Sequence, residues 1–255
     1  MDIEQFDRKA KTIAIVAALD CDGAALLRDQ IDDSTAGNIV AELSDSFEAL
    51  RHSQSQLTLS PDAIFMKSRS AVERIAHPGV LEVADSILCR YCSSYQLGST
   101  VAIEMRAGAD AQDLAVDAAI YKLRIPGVEC QLSAIWALDE LTADNGAPTL
   151  IPGSHRGDIM RLPNAKDMVT VPMSRGSVLL CMGWILRGWS ANRREQSSTV
   201  LVNRYSLGWL RSEINYTLSL PAATVQNTPK QVRRLLGFES YENGRLGWYP
   251  SEIPE

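Results

Sequence analysis

Two periodicities divide this chain. Up to about residue 94, apolar positions recur at helical spacing. In DDSTAGNIVAELSDSFEALR, the residues Ile39, Val40, Leu43, Phe47 and Leu50 share one helix face, with Ser34 or Thr35 as the expected N-cap. In HPGVLEVADSILCRYC, Val80, Leu81, Val83, Ala84, Ile87 and Leu88 follow the same spacing, and Pro78 suits a first helical turn. From Tyr95 the texture changes. YQLGSTVAIEMR, ECQLSAIWALDEL, GSVLLCMGW and STVLVNRYSLGWL are short apolar or alternating runs separated by Gly, Pro, Asn and Asp. That pattern predicts antiparallel strands closing into a sandwich or small barrel. No internal repeat, low-complexity tract or linker interrupts it. The expectation is one domain over residues 1–255. A mostly helical flank (1–94) leads into a β core (95–220) and a C-terminal segment (221–255).

Composition narrows the possibilities. The chain has 255 residues, 45% hydrophobic and 22% charged, enough to bury a sizeable core. Its net charge of −6 argues against a nucleic-acid partner, which calls for a basic face. No apolar run approaches the ~20 residues of a membrane-spanning helix. The opening MDIEQFDRKAK lacks the cationic lead and apolar stretch of a signal peptide. The five cysteines, Cys21, Cys89, Cys92, Cys130 and Cys181, are odd in number and scattered, which suits a reducing cytoplasm. Cys89-x-x-Cys92 has no second half elsewhere, so structural thiols are expected rather than a zinc or redox site.

The candidate chemistry lies around ADNGAPTLIPGSHRGD. Asn145-Gly146 and Pro152-Gly153 are strong turn formers bracketing a short strand, and His155 sits in the second turn. NGAPTLIPGSHR, followed by GWILRGWSAN and then RYSLGWLRSEIN, resembles the phytanoyl-CoA dioxygenase-like branch of the iron(II)/2-oxoglutarate oxygenases. Within it, the sequence is similar to the fungal members that tailor terpenoid and meroterpenoid products. RSAVERIAHPGVLEVADSIL, YQLGSTVAIEM and LLGFESYENGRLGWYP extend the resemblance over most of the chain. It implies a mainly β fold with flanking helices, a double-stranded β-helix of the jelly-roll, cupin-like kind. It also implies an iron held by a His-x-Asp pair and a later histidine, with an arginine forking the far carboxylate of 2-oxoglutarate.

The residues depart from that pattern. Three histidines are present, His52, His77 and His155, and none has Asp or Glu two residues on. By the resemblance, the His-x-Asp pair falls on Ala115-Val116-Asp117, so the carboxylate remains and the imidazole does not. The later histidine falls on Arg187. The cofactor arginine falls on or near Ser198, with Arg193, Arg194 and Arg204 close by. His155 is at none of these positions, and its expected role is a hydrogen bond within the turn or a place on a pocket rim. A guanidinium beside a lone carboxylate disfavours a cation; the sequence leaves two arrangements open, an Asp117–Arg187 ion pair in place of the metal or both side chains pointing to solvent at a barrel mouth.

The resemblance therefore implies a catalytically inactive oxygenase homologue, the accessory subunit of a heterodimer. Iron(II) and 2-oxoglutarate are expected in a catalytically active homologous partner and not in this chain. No nucleic-acid or membrane partner is expected. The tryptophan-rich GWILRGW, LGWLRSEINY and RLGWYP are candidate interface anchors, or else barrel core. Three alternatives stay open. One is a metal-independent isomerase or cyclase acting on a terpenoid through Asp117, Glu104 or Tyr121. The others are a carrier of an apolar small molecule and an oxygenase with a displaced metal site.

Overall fold

The structure is a computed structural model that describes residues 3–50, 56–122, 124–157 and 165–238. His52 and the RLGWYP segment lie outside the described residues. The flank begins with β1 (Gln5–Phe6), α1 (Thr12–Asp22), β2 (Ala24–Leu27), α2 (Asp33–Leu50) and β3 (Gln56–Leu59). Three helices follow: α3 (Pro61–Lys67), α4 (Arg69–Arg74) and α5 (Pro78–Leu88). The β-rich part contains β4 (Tyr95–Met105), β5 (Gln112–Ala115), β6 (Gln131–Ala137), β7 (Pro148–Leu150), β8 (Val169–Thr170), β9 (Val178–Met182), β10 (Arg187–Trp189) and β11 (Ser198–Leu207). Short helices α6 (Tyr216–Ser219), α7 (Ala222–Gln226) and α8 (Lys230–Leu235) close the described chain.

The strands form a seven-stranded sheet, β1-β2-β9-β6-β11-β4-β3, and a four-stranded sheet, β5-β10-β7-β8. The four dense apolar runs became β4, β6, β9 and β11, the antiparallel centre of the larger sheet. Their runs are nearly continuous because both faces are covered. One face packs on α1, α2 and α5, through Leu19, Ile39, Leu43, Val80 and Ile87 against Leu132, Trp136, Leu180 and Leu201. The other face meets the smaller sheet, where Ile103, Ile135, Leu179, Val200 and Val202 lie against Leu150 and Trp189.

The helical flank is less purely helical than its periodicity implies. It contributes β1, β2 and β3, and β2 pairs with β9 inside the larger sheet. The segment GAALLRD is too short for helical spacing to be tested, and all four strand residues are buried. The α2 N-terminus also differs from expectation. Asp32, and neither Ser34 nor Thr35, caps it, its carboxylate accepting from the Thr35 amide (2.7 Å) and the Ser34 hydroxyl (2.9 Å). The Pro78 expectation holds, with Pro78 opening α5.

Candidate functional site

The two strands that carry Ala115 and Arg187 are hydrogen-bonded neighbours. In the β5–β10 ladder, Ala115 is directly opposite Arg187. Directly opposed residues on antiparallel strands point to one face, and Asp117, two residues after Ala115, follows the same alternation. The chain turns at once into a short 3-10 helix, Asp117–Tyr121, which fixes Asp117 over the end of the larger sheet. Gly183 allows the approach: a Cβ there would lie 2.7 Å from the Gln131 Cβ and 3.0 Å from the Ala118 Cβ.

Asp117 and Arg187 form a bidentate ion pair. Arg187 donates through Nε (3.0 Å) and Nη2 (2.6 Å) to Oδ2, and through Nη2 to Oδ1 (2.9 Å). The side chains are 15% and 6% exposed, so the pair is largely desolvated. Ser133 of β6 donates to the same carboxylate at 2.8 Å. Burial alone would raise the Asp117 carboxyl, but Arg187, then Arg204, together with these hydrogen bonds, hold it below the usual carboxylate range. Burial likewise opposes the charged form of Arg187, and Asp117 more than offsets it.

A second arginine joins the pair, one that by sequence is only a neighbour of Ser198. Arg204 of β11 lies 3.6 Å from Asp117 and 3.8 Å from Glu213. Its Nη1 donates to Ser99 at 3.0 Å, Ser99 donates to Glu213 at 3.0 Å, and Gln131 donates to Glu213 at 2.7 Å. Two guanidiniums and two carboxylates thus make a charge-balanced network across the end of the larger sheet. Glu213 had no signal in the sequence; its loop folds back over β4 through the Ile214 amide, which donates to the Gly98 carbonyl.

Ser198 is elsewhere. It begins β11, six residues before Arg204, so the two lie roughly 20 Å apart along the strand, on the same face. Its buried hydroxyl donates to the Asn145 carbonyl at 2.5 Å. Arg194 pairs with Asp144 at the surface. Glu104 is opposite Thr199, at the Ser198 end of the sheet, so Glu104 and Asp117 do not converge. Tyr121 ends the 3-10 helix and lines a small apolar cavity of about 100 Å³ with Ile125, Val128, Cys130, Trp184 and Trp209.

The histidines stand apart from this cluster. His155 is buried under Gly23, where a Cβ would come within 2.5 Å of Nδ1, and Gly23 adopts φ +79°. Its Nε2 approaches the Asp20 carbonyl at 3.4 Å. The expected hydrogen bond within the turn is not what the ring makes: it reaches out to α1 instead, and it lines a larger cavity. His77 packs edge-on to Trp136, their centroids 5.0 Å apart. Among the described residues, no three His, Cys, Asp or Glu side chains come together in a way that could hold a metal ion. No helix among them is long and apolar enough to cross a membrane. Cys89 is exposed, Cys92 half-buried, and both thiols are free.

The tryptophans divide. Trp136, Trp184 and Trp189 are buried, so GWILRGW is core and not surface. Trp209 is 40% exposed and lines the small cavity with Ile125 (41% exposed); Ile120, next in sequence to Tyr121 of that lining, is 56% exposed.

Comparison with known proteins fits this architecture. A family described as phytanoyl-CoA dioxygenase (PhyH) matches residues 19–198. The chain is 28% identical over 181 residues to the dioxygenase trt7 of Aspergillus terreus, covering 67% of this chain and 61% of that protein. It is 26% identical over 258 residues to the dioxygenase swnH1 of Metarhizium robertsii, covering 90% and 83%. It thus spans about three-fifths of the first relative's length and more of the second's. Among solved structures, the epimerase SnoN in complex with Fe3+, alpha ketoglutarate and nogalamycin RO is similar at TM-score 0.61 and 17% identity, over 82% of this chain and 90% of that one. That likeness concerns the fold.

Proposed function

The chain belongs to the phytanoyl-CoA dioxygenase family, and on that footing we propose that it is a member without its own iron centre, acting as accessory subunit to a catalytically active homologue. The two sheets around a shared apolar core are read as the family's jelly-roll barrel, with Ala115, Asp117 and Arg187 at its former metal positions. The carrying observation is the Asp117–Arg187 pair. A ferrous ion needs neutral imidazoles or free carboxylate lone pairs. Here the carboxylate already accepts from Arg187 and Ser133, and a second cation stands 3.6 Å away. The donor set does not fit iron.

A partner is supported by the surface next to this end of the sheet. Ile120, three residues after Asp117, is exposed, and Ile125 and Trp209 are exposed around a shared apolar cavity. Ile125 and Trp209, exposed around one apolar cavity, are the kind of side chains an interface core requires. The partner, a homologous oxygenase carrying iron(II) and 2-oxoglutarate in a fungal biosynthetic route, belongs to the same proposal. The alternative reading, a metal-independent isomerase working through Asp117, Glu104 or Tyr121, loses support because Asp117 is engaged and Glu104 is remote.

The test is native mass spectrometry of the tagged protein recovered from its own cells. A mass equal to this chain plus a different chain of similar size, carrying iron, is expected. Ile120→Glu should abolish that species while leaving the chain folded. A bare monomer or homodimer at all concentrations would reject the accessory role.

A further inference from the structure

A cavity of about 970 Å³ opens on the helical side of the larger sheet, and neither Asp117, Arg187 nor Arg204 lines it. Its floor is apolar and aromatic, with Met182, Trp184, Val128 and Tyr91. Its rim is basic. Arg90 is paired with Asp20 at 3.0 Å. Arg124 and Arg156 are held differently: Arg124 donates to the carbonyls of His155 and Gly157, and Arg156 to the carbonyl of Asp20. Backbone carbonyls fix each guanidinium without cancelling its charge, and each keeps N–H groups to spare, since arginine has five. Arg124 also lies over the Trp184 ring, 5.3 Å from its centroid. Among the described residues, no ion pair to a carboxylate is found for either arginine.

One carboxyl lies inside. Glu129 is 9% exposed, two residues before β6, and accepts from the Gln131 amide at 3.1 Å. Burial pushes it up to about 7, against the downward pull of backbone N–H groups and of Arg124. Near neutrality Glu129 therefore leaves Arg124 partly uncompensated. The other charged or titratable groups facing this space are Asp20 and Arg90, which offset each other, the Tyr91 phenol, Arg156, and His155, whose pKa burial lowers; the Cys130 thiol beside Glu129 is pushed up to about 12 and stays neutral.

We propose that this cavity is a binding site for an amphipathic organic anion, a carboxylate or sulfonate head on an apolar body of one or two rings. Arg124 and Arg156 take the head group by forked hydrogen bonds, and Trp184, Met182 and Val128 take the body. No residue of the Asp117 network contributes to the site, although Ile125, Val128 and Trp184 also line the small cavity at the proposed partner surface. Glu129 and Arg124 line the same cavity and feel each other's charge, so protonation of Glu129 strengthens the pull of Arg124 on the ligand's head.

The test uses the whole chain and two fluorescent probes of nearly the same shape. 8-Anilinonaphthalene-1-sulfonate carries a sulfonate, and N-phenyl-1-naphthylamine lacks it. The sulfonate stays charged from pH 6 to 8.5, so any pH dependence belongs to the protein. The anionic probe should bind at least tenfold more weakly to Arg124→Gln or Arg156→Gln, and the neutral probe should not change. Arg156 is exposed, so its variant guards against a folding defect in Arg124→Gln. Wild-type affinity for the sulfonate should rise as pH falls from 8.5 to 6, and Glu129→Gln should remove that rise. Equal binding of the two probes, or anionic binding indifferent to both arginine variants, would overturn the proposal.

Discussion

Arg187→Met is the most informative single perturbation. It removes the guanidinium and keeps much of the volume. In the native chain, Asp117 is 15% exposed and answered by two Arg187 nitrogens at 3.0 Å or less. Breaking a buried pair by deleting one partner costs about 3–5 kcal/mol, because the remaining charge stays buried. Arg204 at 3.6 Å and the Ser133 hydroxyl at 2.8 Å soften the loss, which places the expectation at the lower end, about 3 kcal/mol. For a domain of this size each kcal/mol moves Tm by about 2–4 °C, so a fall of roughly 6–12 °C is expected. Asp117→Asn should also destabilise, since Arg187 and Arg204 would then face each other with less counter-charge. The assay is urea denaturation of both single variants and the double variant at pH 7. The double variant should be more stable than the two losses added together predict, with a coupling of about 2 kcal/mol or more. Acid supplies an internal check. The native Asp117 contribution is present above the ordinary aspartate pKa and is lost as pH falls through its lowered value. Without Arg187 the carboxyl rises, so the gap between variant and wild type should narrow in acid. A coupling below about 0.5 kcal/mol would refute the argument that this pair holds the site together.

Further outcomes follow from other groups. Glu129, pushed from 4.5 to about 7, stabilises the fold only while protonated. Stability should therefore fall as pH rises from 5 through 7, and Glu129→Gln should be about 2–3 kcal/mol more stable than wild type at pH 8 with no gain near pH 4.5. His77 is depressed from 6.5 to about 4, chiefly by burial and then by Arg74. Its unfolded form binds the proton more readily, so stability should drop as pH falls from 6.5 towards 4, by about 2 kcal/mol once partial exposure is allowed for. His77→Phe should flatten that limb, measured by thermal melts from pH 7 to 4.5; superimposable profiles would contradict the assignment. Ala115→His with Arg187→His places two imidazoles beside Asp117, and this variant should bind cobalt(II) with visible absorption, while the wild type should not. If the double variant stays colourless at millimolar metal, the Ala115–Asp117–Arg187 arrangement is not a former metal position.

The strands were legible where they are buried on both faces. VAIEM, QLSAIWA, VLLCM and STVLV are dense apolar runs because helices cover one side and the second sheet the other. Strand β2 was hidden because four buried residues, AALL, read equally well as helix or strand. Strand β5 was hidden for the opposite reason: QDLA lies at a sheet edge, mostly exposed, and carries no apolar alternation. At the site, Ala115, Asp117 and Arg187 could be placed from local motifs. Arg204 and Glu213 could not be joined to them, because their contacts depend on how β11 and the following loop pass over β4 and β6. Glu129 was invisible for a related reason. A glutamate before a strand reads as a surface residue, and only the packing of Trp184, Cys130 and the β9 end around it reveals a buried acid.

The charge balance accounts for how such a fold could lose a metal and keep its shape, on the reading proposed above. A carboxylate at the end of the sheet needs a counter-charge whether or not iron supplies it. Arg187 reaches Asp117 from the strand opposite Ala115, and Arg204 approaches from the neighbouring sheet, so two protein cations supply that counter-charge. Arg204 brings Glu213 with it, which restores neutrality. The consequence for chemistry is different. A metal leaves coordination positions open to ligands, whereas a guanidinium fork saturates the carboxylate it meets. The same substitution that preserves the electrostatics therefore removes the reactive vacancy. On that proposed reading, the Asp117–Arg187 fork leaves the partner as the seat of the oxygenase chemistry.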